Sequence, residues 1–152
     1  FSSAVMRMTL QQWQSNGWLK AEPTSRAEIA NMLAMVDRDL QDAASSISPD
    51  WRLGIAYNAA LKLCTILLRA KGYRPSHGLQ HYRAIMAMPL ILGQKKNDDA
   101  NYLDTCRTKR NTVEYDYVGG ASNADADELI AFTAGLKTEV LQWLKDNHPE
   151  LL

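Results

Sequence analysis

The chain predicts an all-α fold, an antiparallel helical bundle of about five main helices in one domain spanning residues 1–152. Three observations carry that expectation. Apolar residues recur at helical spacing along most of the sequence, and cap or breaker signals cut it into helix-length pieces. No alternating apolar–polar run of useful strand length occurs, nor any internal repeat or low-complexity segment.

Taken in order, a short first helix is expected from about Ser3 to Leu19 within residues 1–22, weakened by Asn16-Gly17 and ended before Pro23. Ser25 should cap the second, with Glu28 closing a capping box, and Ile29, Leu33, Val36 and Leu40 on its core side. It should stop near Ser45-Ser46.

Ser48-Pro49-Asp50 opens the third helix, with Asp50 as its expected N-cap. Ile55, Ala59, Leu63, Ile66, Leu67 and Ala70 give it a long core face, and Gly72 marks its end. After the Tyr73-Arg74-Pro75 turn, Ser76 is expected to cap a fourth helix running to Leu92-Gly93, kinked or ended at Pro89. Gln94–Asp99 reads as a polar loop, with Asn97 or Asp98 capping a fifth helix from Ala100 to about Tyr117. Gly119-Gly120 breaks it. Ser122 then caps the last helix, whose face of Leu129, Phe132, Leu136, Val140, Trp143 and Leu144 runs toward Pro149.

The bulk numbers are those of a globular chain of 152 residues, 46% hydrophobic and 22% charged, long enough to bury a proper core. Lys+Arg and Asp+Glu both total 17, so net charge gives no global reason to expect nucleic acid or an anionic membrane; any such contact must come from a local patch. Cys64 and Cys106 each sit in an apolar helical pattern without a CxxC or a nearby His, which fits reduced core thiols. The longest apolar run, Met86–Leu92, is too short to cross a bilayer, and no basic-then-apolar leader opens the chain, so the expected location is the cytoplasm.

The chemistry concentrates in CRTKRNTVEYDYVGG, residues 106–120. Leu103, Cys106, Arg110, Val113 and Tyr117 recur there at spacings of three and four, the inward stripe of an amphipathic helix. An arginine in such a stripe needs a partner or a task, because burying an unpaired charge costs several kcal/mol. Arg107, Arg110, Glu114 and Tyr117 share one sector, and Asn111 and Tyr115 stack on the adjoining flank. Two readings follow from spacing alone. Glu114 neutralises Arg110 as a structural pair, or Arg110 belongs to a polar pocket whose planar fork of donors recognises phosphate.

The run Arg110-Asn111-Thr112-Val113-Glu114-Tyr115 resembles the signature of the HEPN family, an Arg, a polar residue, three free positions and a His. Ala59-Ala60-Leu61-Lys62-Leu63, then Gly72-Tyr73-Arg74-Pro75 and Ser76-His77-Gly78-Leu79, is similar to the helix, turn and helix start of HEPN bundles. The match covers roughly residues 50–147. The resemblance implies a helical bundle that commonly dimerises. It further implies metal-independent endoribonuclease activity without a cofactor in many members, and in several a toxin role beside a small nucleotidyltransferase antitoxin. Carried over, Arg110 would bind the scissile phosphate, Asn111 would position Arg110 or the RNA, and Tyr115 would stand where active ribonucleases have His. Arg107, Lys109, Glu114 and Asn58 would complete the substrate groove.

Tyr115 is the departure from the pattern. A phenol titrating near pH 10 is a poor base at neutral pH unless a cation such as Arg107 or Lys109 depresses it. Binding by stacking or hydrogen bonding survives that change better than hydrolysis does.

His77 and His81 lie four apart, but no third metal ligand and no HExxH glutamate accompany them, so no metal site is expected. Gly54 and Asn58 both lower helix propensity; Gly54 allows close approach of a helix, a backbone or a ligand, and Tyr57-Asn58 can join the Arg110 pocket. Trp13, Trp18, Trp51 and Trp143 read as core or dimer anchors, the first two alternatively as a partner dock. Lys95-Lys96 with Arg107, Lys109 and Arg110 would form a basic patch if the loop folds back, whereas Arg69, Lys71 and Arg74 serve the helix dipole.

Two functions stay open. One is a HEPN-type domain binding RNA or a nucleotide, as a ribonuclease or a catalytically degenerate relative. The other is a non-catalytic dimerisation module that partners a nucleotidyltransferase-like protein.

Overall fold

The computed structural model describes residues 8–115 and 118–152, with the side chains of residues 114 and 115 outside the description. Among the described residues six α-helices follow in order: α1 (Leu10–Ser15), α2 (Arg26–Ala43), α3 (Pro49–Ala70), α4 (Gln80–Leu92), α5 (Asn97–Tyr115) and α6 (Asn123–Asn147). Single 3₁₀ turns at Gln94–Lys96 and Pro149–Leu151 precede α5 and follow α6. The all-α bundle is the fold of the chain.

The bundle is built around α3, which packs against α2, α4, α5 and α6. Its buried residues do not form one stripe. Leu53, Ala56, Tyr57, Ala60, Leu63, Cys64 and Leu67 make one face, and Ala59, Ile66 and Arg69 extend burial around most of the circumference, as a central helix requires. By length and composition alone α3 is apolar enough to cross a membrane, but 61% of its most apolar window is buried inside the fold.

Several predicted caps stand. Ser25 Oγ accepts from Glu28 N at 3.1 Å, and Ser122 forms a full capping box with Asp125. Glu28 does not complete a box with Ser25; its carboxylate accepts from Thr24 Oγ1 at 2.7 Å and binds Arg69. Ser48, not Asp50, caps α3, because Pro49 fills the first helical position, where its missing N–H costs nothing.

Other boundaries differ from the expectation. Among the described residues α1 begins only at Leu10, behind a Thr9–Gln12 capping box. Leu19, expected to end the first helix, begins a strand Leu19–Ala21 that pairs with Tyr73–Pro75, expected as a turn, in a two-stranded antiparallel ribbon, β1 and β2. The fourth helix starts at Gln80 rather than Ser76, because Gly78 and Leu79 take left-handed backbone angles at φ 82° and 52°. Pro89 neither ends nor breaks α4, which runs on to Leu92. Residues 94–99 are not an open loop, since a 3₁₀ turn leads directly into α5.

Both thiols are free and buried, and burial pushes the Cys64 thiol up to about 12. Trp13 is core, stacked edge-on against Trp18 at 5.7 Å. Arg69 does more than complement a dipole. Almost fully buried, it reaches Glu22 and Glu28 at 2.9 and 2.7 Å and donates to the Pro23 carbonyl at 3.2 Å, clamping the segment before α2 onto α3.

Asp125 shows how a cap titrates. The hydrogen bond from Lys109 and the Ser122 N–H hold its carboxyl at about 2, below the ordinary value of about 4. The folded state therefore favours the charged form, and this contribution is complete above about pH 4 and lost as pH falls toward 2. Acid unfolding of Asp125→Asn, followed by circular dichroism, should lack that part of the wild-type pH dependence; an unchanged profile would contradict the assignment.

Candidate functional site

Helix α5 approaches α3 and α4 along the stripe expected of it: Ala100, Leu103, Cys106 and Val113 are buried. Arg110 is half-buried on that side, and Tyr117 lies outside the described residues. The polar residues of the signature divide between two pockets on either flank of α5.

The first is an open polar groove of about 370 Å³ between α5 and the turn that starts α4. Arg107 and Asn111, one helical turn apart, form one wall; His77 and His81 form the other. Arg107 donates from Nε to Asp104 at 2.8 Å and lies over the Tyr82 ring at 5.8 Å, which holds its guanidinium along the groove. The α4 end facing this groove has no side-chain cap, and Leu79 sits there in a conformation that costs a bulky residue on the order of 1–3 kcal/mol.

His81 ties the groove to the core. Its Nδ1 lies 3.4 Å from the hydroxyl of Tyr57, which is fully buried in α3. Burial holds the Tyr57 phenol protonated well above its ordinary range, so the hydroxyl donates to Nδ1 in the neutral tautomer that carries its proton on Nε2, and an imidazolium would donate instead. Partial burial, then the charges of Arg110 and Arg107, lowers the His81 pKa below its usual value.

The second pocket, of about 250 Å³, lies on the other flank of α5 and is largely apolar. Trp51, Ile55, Val113 and Val118 wall it, and Gly54 opens it from α3. Ser48, Asp50, Asn58 and Arg110 supply its polar groups. Arg110 also stands over the Tyr57 ring at 5.6 Å and reaches Asn111 Oδ1 at 3.5 Å, so it connects the slot to the groove. Asp50, at the slot's edge, accepts from the backbone N–H of Gly119 at 2.6 Å and of Ala121 at 3.0 Å, which fixes the loop carrying Val118.

The residues expected to act together are thus only partly gathered. Arg107 and Asn111 share the groove, and Arg110 and Asn58 share the slot. Lys109 points elsewhere; its ammonium meets Asp125 at 2.7 Å, joining α5 to the first turn of α6. Lys96 is likewise bound to Asp99 and Glu139 and does not extend a basic patch toward Arg107. The side chains of Glu114 and Tyr115, and with them the proposed Glu114–Arg110 pairing, lie outside the described residues. Close helix packing does not explain Gly54, because a Cβ there would meet nothing within 4 Å.

What sequence reasoning missed is the place of His77 and His81. Their i, i+4 spacing was the signal, but it raises the question of a metal, and among the described residues no three His, Cys, Asp or Glu side chains gather as one would need. Their proximity to Arg107 and Asn111 depends on how α4 meets α5, which no local pattern encodes. Comparison with known proteins gives no match to a family model, to a curated protein or to a solved structure.

The groove makes a pH prediction. Arg107, Arg110, Tyr57 and His77 surround or adjoin His81, and the lowered pKa leaves its ring neutral at pH 7. A bound phosphodiester, whose charge does not change near neutral pH, would favour the imidazolium, so its affinity should rise as pH falls below neutral. Titrating a dinucleoside monophosphate by calorimetry checks this. His81→Asn should flatten the pH dependence, and a flat wild-type profile would contradict it.

Proposed function

We propose that this chain is a HEPN-like domain that binds single-stranded RNA or a nucleotide through the phosphate, in the groove of His77, His81, Arg107 and Asn111. The observation that carries the reading is the convergence of a guanidinium, an amide and two imidazoles on one open polar pocket. A guanidinium offers paired donors matched to phosphate oxygens, and Asn and His supply neutral donors alongside it. With zero net charge overall, such a local cluster is what an anion would find.

The order Arg110-Asn111 followed by Tyr115 supports the family resemblance, and binding comes before hydrolysis in this reading because a tyrosine stands at the position of the family's histidine. The activity to be sought is metal-independent endoribonucleolytic cleavage, in the manner of a toxin or defence protein.

A mixed pool of labelled RNAs incubated with pure protein, with and without chelator, tests the proposal. Salt-sensitive binding is the expected result, and no binding at low salt would remove it. Chelator-resistant cleavage lost in Tyr115→Phe would add catalysis to recognition.

A second reading has its own support. Trp51 is 62% exposed and Val118 93% exposed on one rim, an apolar face that suits a homodimer or a nucleotidyltransferase-like partner.

A further inference from the structure

We propose that the slot beside Gly54 receives a single nucleobase of the strand whose phosphate lies in the Arg107–Asn111 groove. This rests on the groove reading above and extends it from phosphate to base.

The glycine is the first argument. Gly54 lies inside α3, where glycine is among the poorest helix formers, and neither a turn nor a positive φ calls for it. A Cβ would meet nothing within 4 Å, so no packing contact requires the glycine, and the open space beside it is the slot.

The size and lining of that space define its occupant. At about 250 Å³ it falls below the range that encloses a drug-sized ligand, leaving room for one flat ring system. Trp51 offers a largely exposed indole, and Ile55, Val113 and Val118 give apolar walls for a base face. Asn58 presents an amide that can both donate to and accept from a base edge. The acid at this edge, Asp50, is committed to the 119–121 backbone and disfavours a phosphate here. Arg110 lines the slot while its Nη1 reaches Asn111 Oδ1 in the groove, so one side chain adjoins both subsites.

Gly54→Leu fills the slot from a helical position with free space around it, and Trp51→Leu removes the stacking face. Binding of a short single-stranded adenosine oligomer and of its abasic counterpart should be measured by fluorescence anisotropy for wild type and both variants. Wild type should bind the adenosine oligomer about tenfold or more tighter than the abasic one, the effect of stacking one base. Both variants should lose that preference and bind the abasic oligomer as wild type does.

Equal wild-type affinity for the two oligomers would overturn the slot proposal while leaving the groove intact. Failure of both oligomers to bind wild type would overturn the groove reading, and the slot with it. Variants that keep full base preference but change from dimer to monomer in sedimentation would make this face a protein interface and overturn the proposal as well.

Discussion

Arg107→Ala should weaken RNA binding by about tenfold and reduce the slope of log affinity against log salt by about one. A charge-assisted hydrogen bond contributes roughly 1.5–3 kcal/mol, and every 1.4 kcal/mol is a factor of ten. Loss of one phosphate contact removes about one released counterion from the salt dependence. The fold should tolerate the change, since Arg107 makes a partly exposed ion pair with Asp104 and such pairs contribute about 1 kcal/mol or less. Arg107→Lys should restore the salt slope but not the full affinity, because an ammonium lacks the planar fork. Titrations at several salt concentrations check both quantities. An Arg107→Ala variant with wild-type affinity and slope would remove phosphate from this groove.

Arg69→Ala should lower stability by about 2 kcal/mol. Removing one partner of a fully buried ion pair costs about 3–5 kcal/mol, but Glu22 and Glu28 are each 42% exposed, so water compensates part of the loss. The corresponding fall in Tm is roughly 4–8 °C for a chain of this length. RNA binding at a temperature where the variant is folded should be unchanged, because the Arg69 contacts at Glu22, Pro23 and Glu28 share no lining residue with either pocket. Calorimetric melting would show the effect. A Tm within a degree of wild type would mean that the cluster is a surface decoration.

Both results would separate what the sequence makes visible from what it hides. The stripe of Leu103, Cys106 and Val113 was legible because helix periodicity is local, and so were the Ser25 and Ser122 caps. The β1–β2 ribbon was not legible. Each strand is three residues long, too short for alternation to register, and its partner lies on the far side of two helices. Ser76 looked like a cap because it precedes an apolar run, but left-handed Gly78 and Leu79 delay α4 to Gln80.

The site divides in the same way. Helix periodicity puts Arg107 and Asn111 on adjoining sectors of one helix, and only the fold shows that they share a wall. The Tyr57–His81 contact joins α3 to α4, and the slot at Gly54 joins α3 to α5; both arise from packing that no stretch of sequence contains.

The central claim is that RNA phosphate occupies the groove between α5 and the start of α4. Amide and imidazole chemical shifts of isotopically labelled protein, followed during titration with a short single-stranded RNA, test it most directly. The account predicts that the largest changes converge on residues 77–82 and 107–111, with the His81 ring shifting toward its protonated form. Changes centred on α6 or on the β1–β2 ribbon, with those residues unmoved, would contradict it.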